Sequence, residues 1–425
     1  MRAQLRAGRS SLARVVGVVL GLSLVGCGAS QTVIESAPTT TIAASKAPRT
    51  TPVDAADDVD PAPSLETTTS SSSTTTTSTL VPPDGLSSDE RRLVELFAFT
   101  DPDLQPKSIV IGPSGLVFTQ NMMYRHNIKV FDRSGEVVAV IDDSVDLGEF
   151  GLADESVVLR GSPVEAAVSP DGRHLWVSNY KMYGPGYTSV ADDDCGSGDW
   201  EDSFVYRVDI ETFIIDAVVP TGAVPKFLAV SPDGSRLVVA NWCGFDVSII
   251  DTEALVEIGR VDLGRHPRGV AITGDSARAY VTVMGAERID EIDLNTLEVT
   301  RSLPGAGVTP RHIILSPDET VLYSSNHLMD TVRSIDLISG ELVDTVRTGG
   351  QPRTMAMADD GRSLYVVNYT DGTVAKVSTL DMSVLQVVTI GGRPIGVAYD
   401  EETRRVWVAD YSGTIRVFED RAAEG

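Results

Sequence analysis

Five cationic side chains occupy one recurring position in this chain of 425 residues. Lys107, Lys226, Arg268, Arg311 and Arg353 each directly follow a proline, namely Pro106, Pro225, Pro267, Pro310 and Pro352. Gathered around one opening, they would focus positive potential and attract an anion, and arginine can grip a carboxylate or phosphate through two parallel N–H bonds. Pairing of each cation with a neighbouring acid is the structural alternative. Two more prolines belong to the series, Pro163 and Pro394, but Val164-Glu165 and Ile395 follow them, so the set is incomplete. Glu165, His266 and His312, close to these prolines, are the candidates for acid–base work. No nucleophile–base constellation is visible, and no glycine-rich phosphate loop joins a strand to a helix. No Cys-x-x-Cys-His haem attachment occurs, and no cofactor is expected.

A second series runs in step with the first. Asn121, Asn179, Asn241, Asn326 and Asn368, with Asp410, close apolar runs, while Met284 stands at the corresponding place of the fourth unit. Tyr180, Trp242, His327, Tyr369 and Tyr411 follow five of them. The asparagines suit chain reversal through side-chain-to-backbone bonds. The aromatics would rim a mouth suited to stacking a sugar or a base.

The elements that must position these residues follow from the spacing. The seven prolines lie 57, 62, 42, 43, 42 and 42 residues apart, a base period near 42. The unit reads Gly-x-x-Pro, an apolar run, Ser-Pro-Asp-Gly and a second apolar run. Its clearest copy holds Gly222, Pro225, Ser231-Pro-Asp-Gly234 and Asn241. In the sixth copy, residues 354–358, 363–368, 373–378 and 384–390 read as four strands rich in Val, Ile, Leu and Tyr, punctuated by Asp and Gly. Four strands in about 42 residues is the size of a propeller blade. An all-β, seven-bladed β-propeller is therefore expected over residues 89–425. The seventh unit lacks an outer strand, and residues 93–99 form an apolar run outside any unit, so they are expected to complete that blade and spare it an open edge.

Leu364-Tyr-Val-Val-Asn368, Leu237-Val-Val-Ala-Asn241 and Tyr280-Val-Thr-Val283 resemble the YVTN-type β-propeller repeat, as does the recurring Ser-Pro-Asp-Gly turn. The resemblance implies the fold over residues 89–425. It does not select a function, because the fold hosts lactonases, cofactor enzymes and binding proteins. In a blade of this kind, the start of the first strand and the end of the second share a face. Both recurring series therefore fall on one face, with His126, His266, His312 and His327. Insertions 143–160 and 181–203 fall there too, as expected of a binding face.

The chain opens with Arg2, Arg6, Arg9 and Arg14, then an apolar run over 15–25, too short to span a bilayer. It ends in Leu24-Val25-Gly26-Cys27, which resembles the bacterial lipobox. The resemblance implies removal of residues 1–26, diacylation of Cys27 and anchoring at the outer face of the cell membrane. Residues 27–88 hold few large apolar side chains and an unbroken Ser/Thr run over 67–79, so a disordered, Pro-stiffened linker is expected. With Cys27 lipidated, Cys195 and Cys243 remain, in same-face loops and an oxidising compartment, and a disulfide between them is expected. Asp192, Asp194 and Asp199 cluster in the second insertion without any EF-hand spacing. A solvated acidic loop is the expectation there, and a calcium site the alternative.

The net charge of −25 argues against a duplex-DNA binder, and also against the single-stranded nucleic-acid binding that some relatives imply. The functional expectation is a membrane-tethered binding module whose insertion-bearing face takes a small anion, a cell-wall glycan or a protein partner. The alternative, implied by the resemblance, is a lactonase-like hydrolase at the channel mouth.

Overall fold

The computed structural model describes residues 84–187, 195–196 and 200–423. The leader, Cys27, nearly all of the 27–88 linker and Asp192, Asp194 and Asp199 lie outside the described residues. No helix among the described residues is long and apolar enough to cross a membrane.

Seven four-stranded antiparallel sheets make up the fold, a seven-bladed β-propeller. The innermost strands of blades one to seven are Ser108–Ile111, Pro163–Val168, Pro225–Val230, Pro267–Ile272, Pro310–Leu315, Pro352–Met357 and Pro394–Asp400. The sixth blade continues with Ser363–Asn368, Thr373–Ser378 and Val384–Thr389, matching the sequence expectation within a residue or two. Its second strand is buried throughout, whereas its outer strand alternates between exposed and half-buried positions. That gradient explains why the second strand reads as a continuous apolar run. Adjacent blades share cores. One cluster joins Val238, Val247 and Ile249 of blade three to Val270, Val281 and Ile292 of blade four.

The ring is closed as expected. Arg92–Thr100 pairs antiparallel with Thr414–Arg421, from Arg92 opposite Arg421 to Thr100 opposite Thr414. It is also tied to blade six, where Gln386 acts as a surrogate strand: Leu93 N donates to Gln386 Oε1 at 2.7 Å, and Gln386 Nε2 donates to Leu93 O at 3.0 Å. Beneath this junction the fully buried Lys376 ammonium meets Asp420 Oδ1 at 2.5 Å and donates to Arg91 O at 3.1 Å. Tyr365 Oη donates to Asp420 Oδ2 at 2.6 Å. A buried pair is tolerable when further hydrogen bonds satisfy both ions, as they do here.

The Ser-Pro-Asp-Gly turns are built locally. Asp233 accepts from Ser231 Oγ at 2.6 Å and from Ser235 N at 2.9 Å, while Gly234 takes a φ of 76°. Glycine enters that region without steric cost.

Insertion 143–160 carries a short hairpin, Ser144–Asp146 paired with Val158–Arg160, extended by a bridge between Arg160 and Tyr183. Cys195 and Cys243 form the expected disulfide, beside Trp200 and Trp242.

Candidate functional site

Strand register explains how the repeat delivers its cations to the channel. Pro163, Pro225, Pro310, Pro352 and Pro394 each pair with the Asn or Asp that ends the second strand, and Pro267 pairs with Val283. In all six blades the register shifts immediately after the proline. Such a bulge re-aims the side chain that follows. In blades three to six the residue before the proline is also left-handed: Val224 at φ 55°, His266 at 67°, Thr309 at 49° and Gln351 at 55°. A β-branched residue resists that conformation and a following proline disfavours it, so the backbone is strained where the cation is placed.

A belt of hydroxyls fixes the same position from the neighbouring blade. Ser108 Oγ donates to Val164 O at 3.0 Å, Ser178 Oγ to Lys226 O at 2.6 Å, and Ser325 Oγ to Arg353 O at 2.8 Å. Thr354 Oγ1 donates to Ile395 O at 2.9 Å. Every acceptor belongs to the residue directly after a blade's proline. Sequence reading missed this belt, although Ser178 and Ser325 stand directly before the recurring asparagine and carried the signal.

The five cations act on one another across the channel. Burial, reinforced by Lys226, Arg268, Arg311 and Arg353, holds the Lys107 ammonium well below the usual lysine range. Glu165 enters the ring from blade two and reaches Arg268 of blade four, with Oε1 3.1 Å from Nη2 and both side chains buried. Burial raises the Glu165 carboxyl, against the opposing pull of Arg268, Lys107 and Arg311. The Nη1 of Arg268 is buried without a hydrogen-bond partner among the described residues. An unsatisfied buried donor costs about 1–3 kcal/mol, which an acceptor arriving there would recover.

The aromatics stand behind the cations. Lys107 Nζ donates to Tyr411 Oη at 2.8 Å. Lys226 Nζ lies 4.4 Å from the Tyr180 ring centroid and 5.2 Å from that of Trp242, and the Arg353 guanidinium lies 4.2 Å from Tyr369. Tyr369 and Tyr411 meet edge to face at 6.0 Å. The rings hold the cations in place.

The histidines take supporting positions. His266 stacks on Trp242 at 4.3 Å, and His312 meets Phe227 edge-on at 5.1 Å. Burial, then Arg268 and Arg311, lowers the His312 imidazole to about 3, and burial, then Arg311 and Arg353, lowers His327 to about 3. Both are neutral near pH 7 and too weakly basic for efficient proton abstraction there.

One buried acid was not singled out from the sequence. Asp143, at the base of the first insertion, is fully buried with both carboxylate oxygens unpartnered among the described residues, as is Asn179 Oδ1. A methyl group built on Gly161 would come within 2.4 Å of Asp143 Oδ2 and 2.3 Å of Asn179 Oδ1, so the two oxygens crowd one spot. In blades three and six a hydroxyl donates there, Thr221 Oγ1 to Asn241 Oδ1 at 3.2 Å and Thr348 Oγ1 to Asn368 Oδ1 at 3.0 Å. Burial, then Asp142, raises the Asp143 carboxyl well above its usual range, with Arg160 opposing.

Fold and site together define a seven-bladed propeller whose channel mouth is lined by cations. Comparison with known proteins agrees on the fold. A family model described as "Lactonase, 7-bladed beta-propeller" matches residues 337–424. Antigen Lp49 of Leptospira interrogans serogroup Icterohaemorrhagiae serovar copenhageni (strain Fiocruz L1-130) is 25% identical over 184 residues, which is 41% of this chain. The match spans only 35% of that relative's length. Among solved structures, the Kuenenia stuttgartiensis hydrazine synthase aligns with a TM-score of 0.59 at 18% identity, over 78% of this chain and 99% of that one. A chain of a mitotic checkpoint complex aligns with a TM-score of 0.61 at 12% identity, over 78% and 96%. At such identities the likeness is one of fold.

Proposed function

We propose that this protein is a binding module that captures a small anion at its channel mouth, displayed outside a bacterial membrane by a lipid on Cys27. The observation that carries the reading is the mutual approach of Lys107, Lys226, Arg268, Arg311 and Arg353 from five blades, with the buried Glu165 paired to Arg268 and Arg268 Nη1 left without an acceptor among the described residues. The left-handed residues before Pro225, Pro267, Pro310 and Pro352 stand at four of the five cationic positions, while the register shifts and hydroxyl bonds serve apolar Val164 and Ile395 as well and belong to the repeat. Thermal-shift titration of the full chain with citrate, acetate and inorganic phosphate at low ionic strength tests the reading. A binding anion raises the melting temperature by mass action, and Arg268→Ala should weaken that response. Flat melting curves with all three anions would sink it.

A lactonase-like hydrolase is the second reading, and the specific observation favouring it is Glu165, a buried carboxyl with a raised pKa beside a guanidinium. Such a group suits general acid–base work. The matched lactonase segment, however, contains Arg353, Tyr369 and Tyr411 and none of Glu165, His266 or His312. Base uptake during incubation with a panel of lactones, abolished in Glu165→Gln, would establish this reading in place of the first.

A further inference from the structure

At the mouth, lined from blades one and two with Lys226 of blade three and Tyr411 of blade seven, lies a cavity of about 430 Å³, within the size range of small-molecule sites. Three lysines line it, Lys107 and Lys226 of the ring of cations and Lys181 at the start of the second insertion. Thioethers and rings are interleaved with them: Met122, Met123 and Tyr124 from the loop after Asn121, Tyr180 and Tyr411, and Tyr183 beyond the first insertion's hairpin, with Lys181 Nζ 4.5 Å from the Tyr183 ring centroid. The loop does not hide its large side chain. Tyr124 is 79% exposed, and both Tyr124 and His126 are left-handed, at φ 65° and 50°. His126 meets the Tyr183 ring edge-on at 4.9 Å and is lowered mainly by burial and secondarily by Arg160, so it adds a flat neutral surface to the wall.

The hydrogen-bonding inventory of the cavity narrows the ligand class. Among the described residues lining it, none carries a carboxylate or a side-chain amide. Those are the groups that accept from, and donate to, the many hydroxyls of a saccharide. The Ser162 hydroxyl is directed at Met122 O, 3.1 Å away. Lysine ammoniums set among thioethers and aromatic rings, with no competing carboxylate among the described lining residues, fit an amphipathic anion. We infer that the anion captured at the mouth is an aryl-bearing carboxylate, with its charged group at Lys107 and its ring among Met123, Tyr124 and Tyr183. The inference rests on reading the mouth as an anion site and specifies what that site accepts.

The test is calorimetric titration of the full chain with 4-phenylbutyrate, gluconate and inorganic phosphate at one low ionic strength. Phenylbutyrate is expected to bind at least on the order of tenfold more tightly than gluconate, the scale of one good ring contact. Tyr124→Ala, at an exposed position that endangers no packing, should weaken phenylbutyrate several-fold and leave phosphate unchanged. Gluconate binding as tightly as phenylbutyrate, or Tyr124→Ala affecting phosphate and phenylbutyrate alike, overturns the inference and leaves the anion site standing. No heat with any of the three overturns the anion site as well.

Discussion

The two faces of the ring use the same residue types to opposite ends. On the turn face, Asp171, Asp233, Asp275 and Asp318 each accept from a Ser or Thr hydroxyl two residues earlier, at 2.5 to 2.6 Å, and each is held below the usual carboxylate range by that bond. On the mouth face, Glu165 and Asp143 are buried and raised, Lys107 is lowered, and His312 is lowered to about 3. The turn face meets its needs within four residues of sequence. The mouth face assembles its charges from blades tens of residues apart and keeps them out of water, which is costly unless pairing and hydrogen bonds offset it. On the proposed reading, the repeat is structural on one side and functional on the other.

The largest test asks whether the faces share their stability. Deleting residues 84–102 removes the strand that closes blade seven, and both faces should be lost together, at a cost comparable to the whole stability of a domain, about 5–15 kcal/mol. A circular-dichroism melt as cooperative as that of the intact chain would show that the ring closes without it. Next comes the buried pair across the mouth. Arg268→Ala strands Glu165 and should cost roughly 3 kcal/mol in urea unfolding, and adding Glu165→Gln should recover much of that loss. A loss below that of an ordinary surface substitution would mean the pair is not buried in solution.

Asp143 and Asp233 sharpen the comparison because they titrate in opposite directions. A raised carboxyl holds its proton in the folded state, so Asp143 should lower stability as the pH climbs from the ordinary carboxylate range toward its raised value. The charged and titratable groups around it are Asp142, Arg160 and Tyr206. Asp143→Asn should match the parent chain near pH 4 and exceed it at pH 8, because the amide can donate to Asn179 at any pH. A variant less stable at pH 8 would mean that Asp143 is ionised in the fold, with a cation as its partner. Asp233 is lowered to about 2, chiefly by its bond from Ser231. Its contribution is therefore complete above the ordinary carboxylate range and fades as the pH falls through about 2. Asp233→Ala should cost less than about 1 kcal/mol at pH 7, since the group is exposed. The gap from the parent chain should close in acid, and a gap independent of pH would remove the carboxylate from the account.

The ring was legible because its signals are local and repeated. Prolines at intervals near 42 residues, turns built from Ser-Pro-Asp-Gly, and apolar second strands ending in Asn reflect backbone conformation and burial that each blade imposes alone. The closing strand could be read by elimination, since residues 93–99 were apolar and the last unit lacked an edge. The candidate site was legible only in part. The position after the proline was visible as a series of cations, but sequence could not say that Glu165 reaches Arg268 two blades away. Nor could it show that neighbouring hydroxyls hold the backbone of Lys226 and Arg353, or that Asp143 lies buried against Asn179. The Glu165–Arg268 and Asp143–Asn179 contacts recur in no other unit among the described residues, so no spacing encodes them, whereas the hydroxyls before Asn179 and Asn326 were a signal left unread.

By itself, then, the sequence determined the number of blades, where each turns and which face carries the insertions. These follow from φ/ψ preferences, from the alternation of burial and from a conserved period along one chain. The tertiary structure alone decided which charges lose their water and which keep it. Desolvation depends on everything that packs around a group, and at the mouth those neighbours come from blades that meet only when the ring has closed.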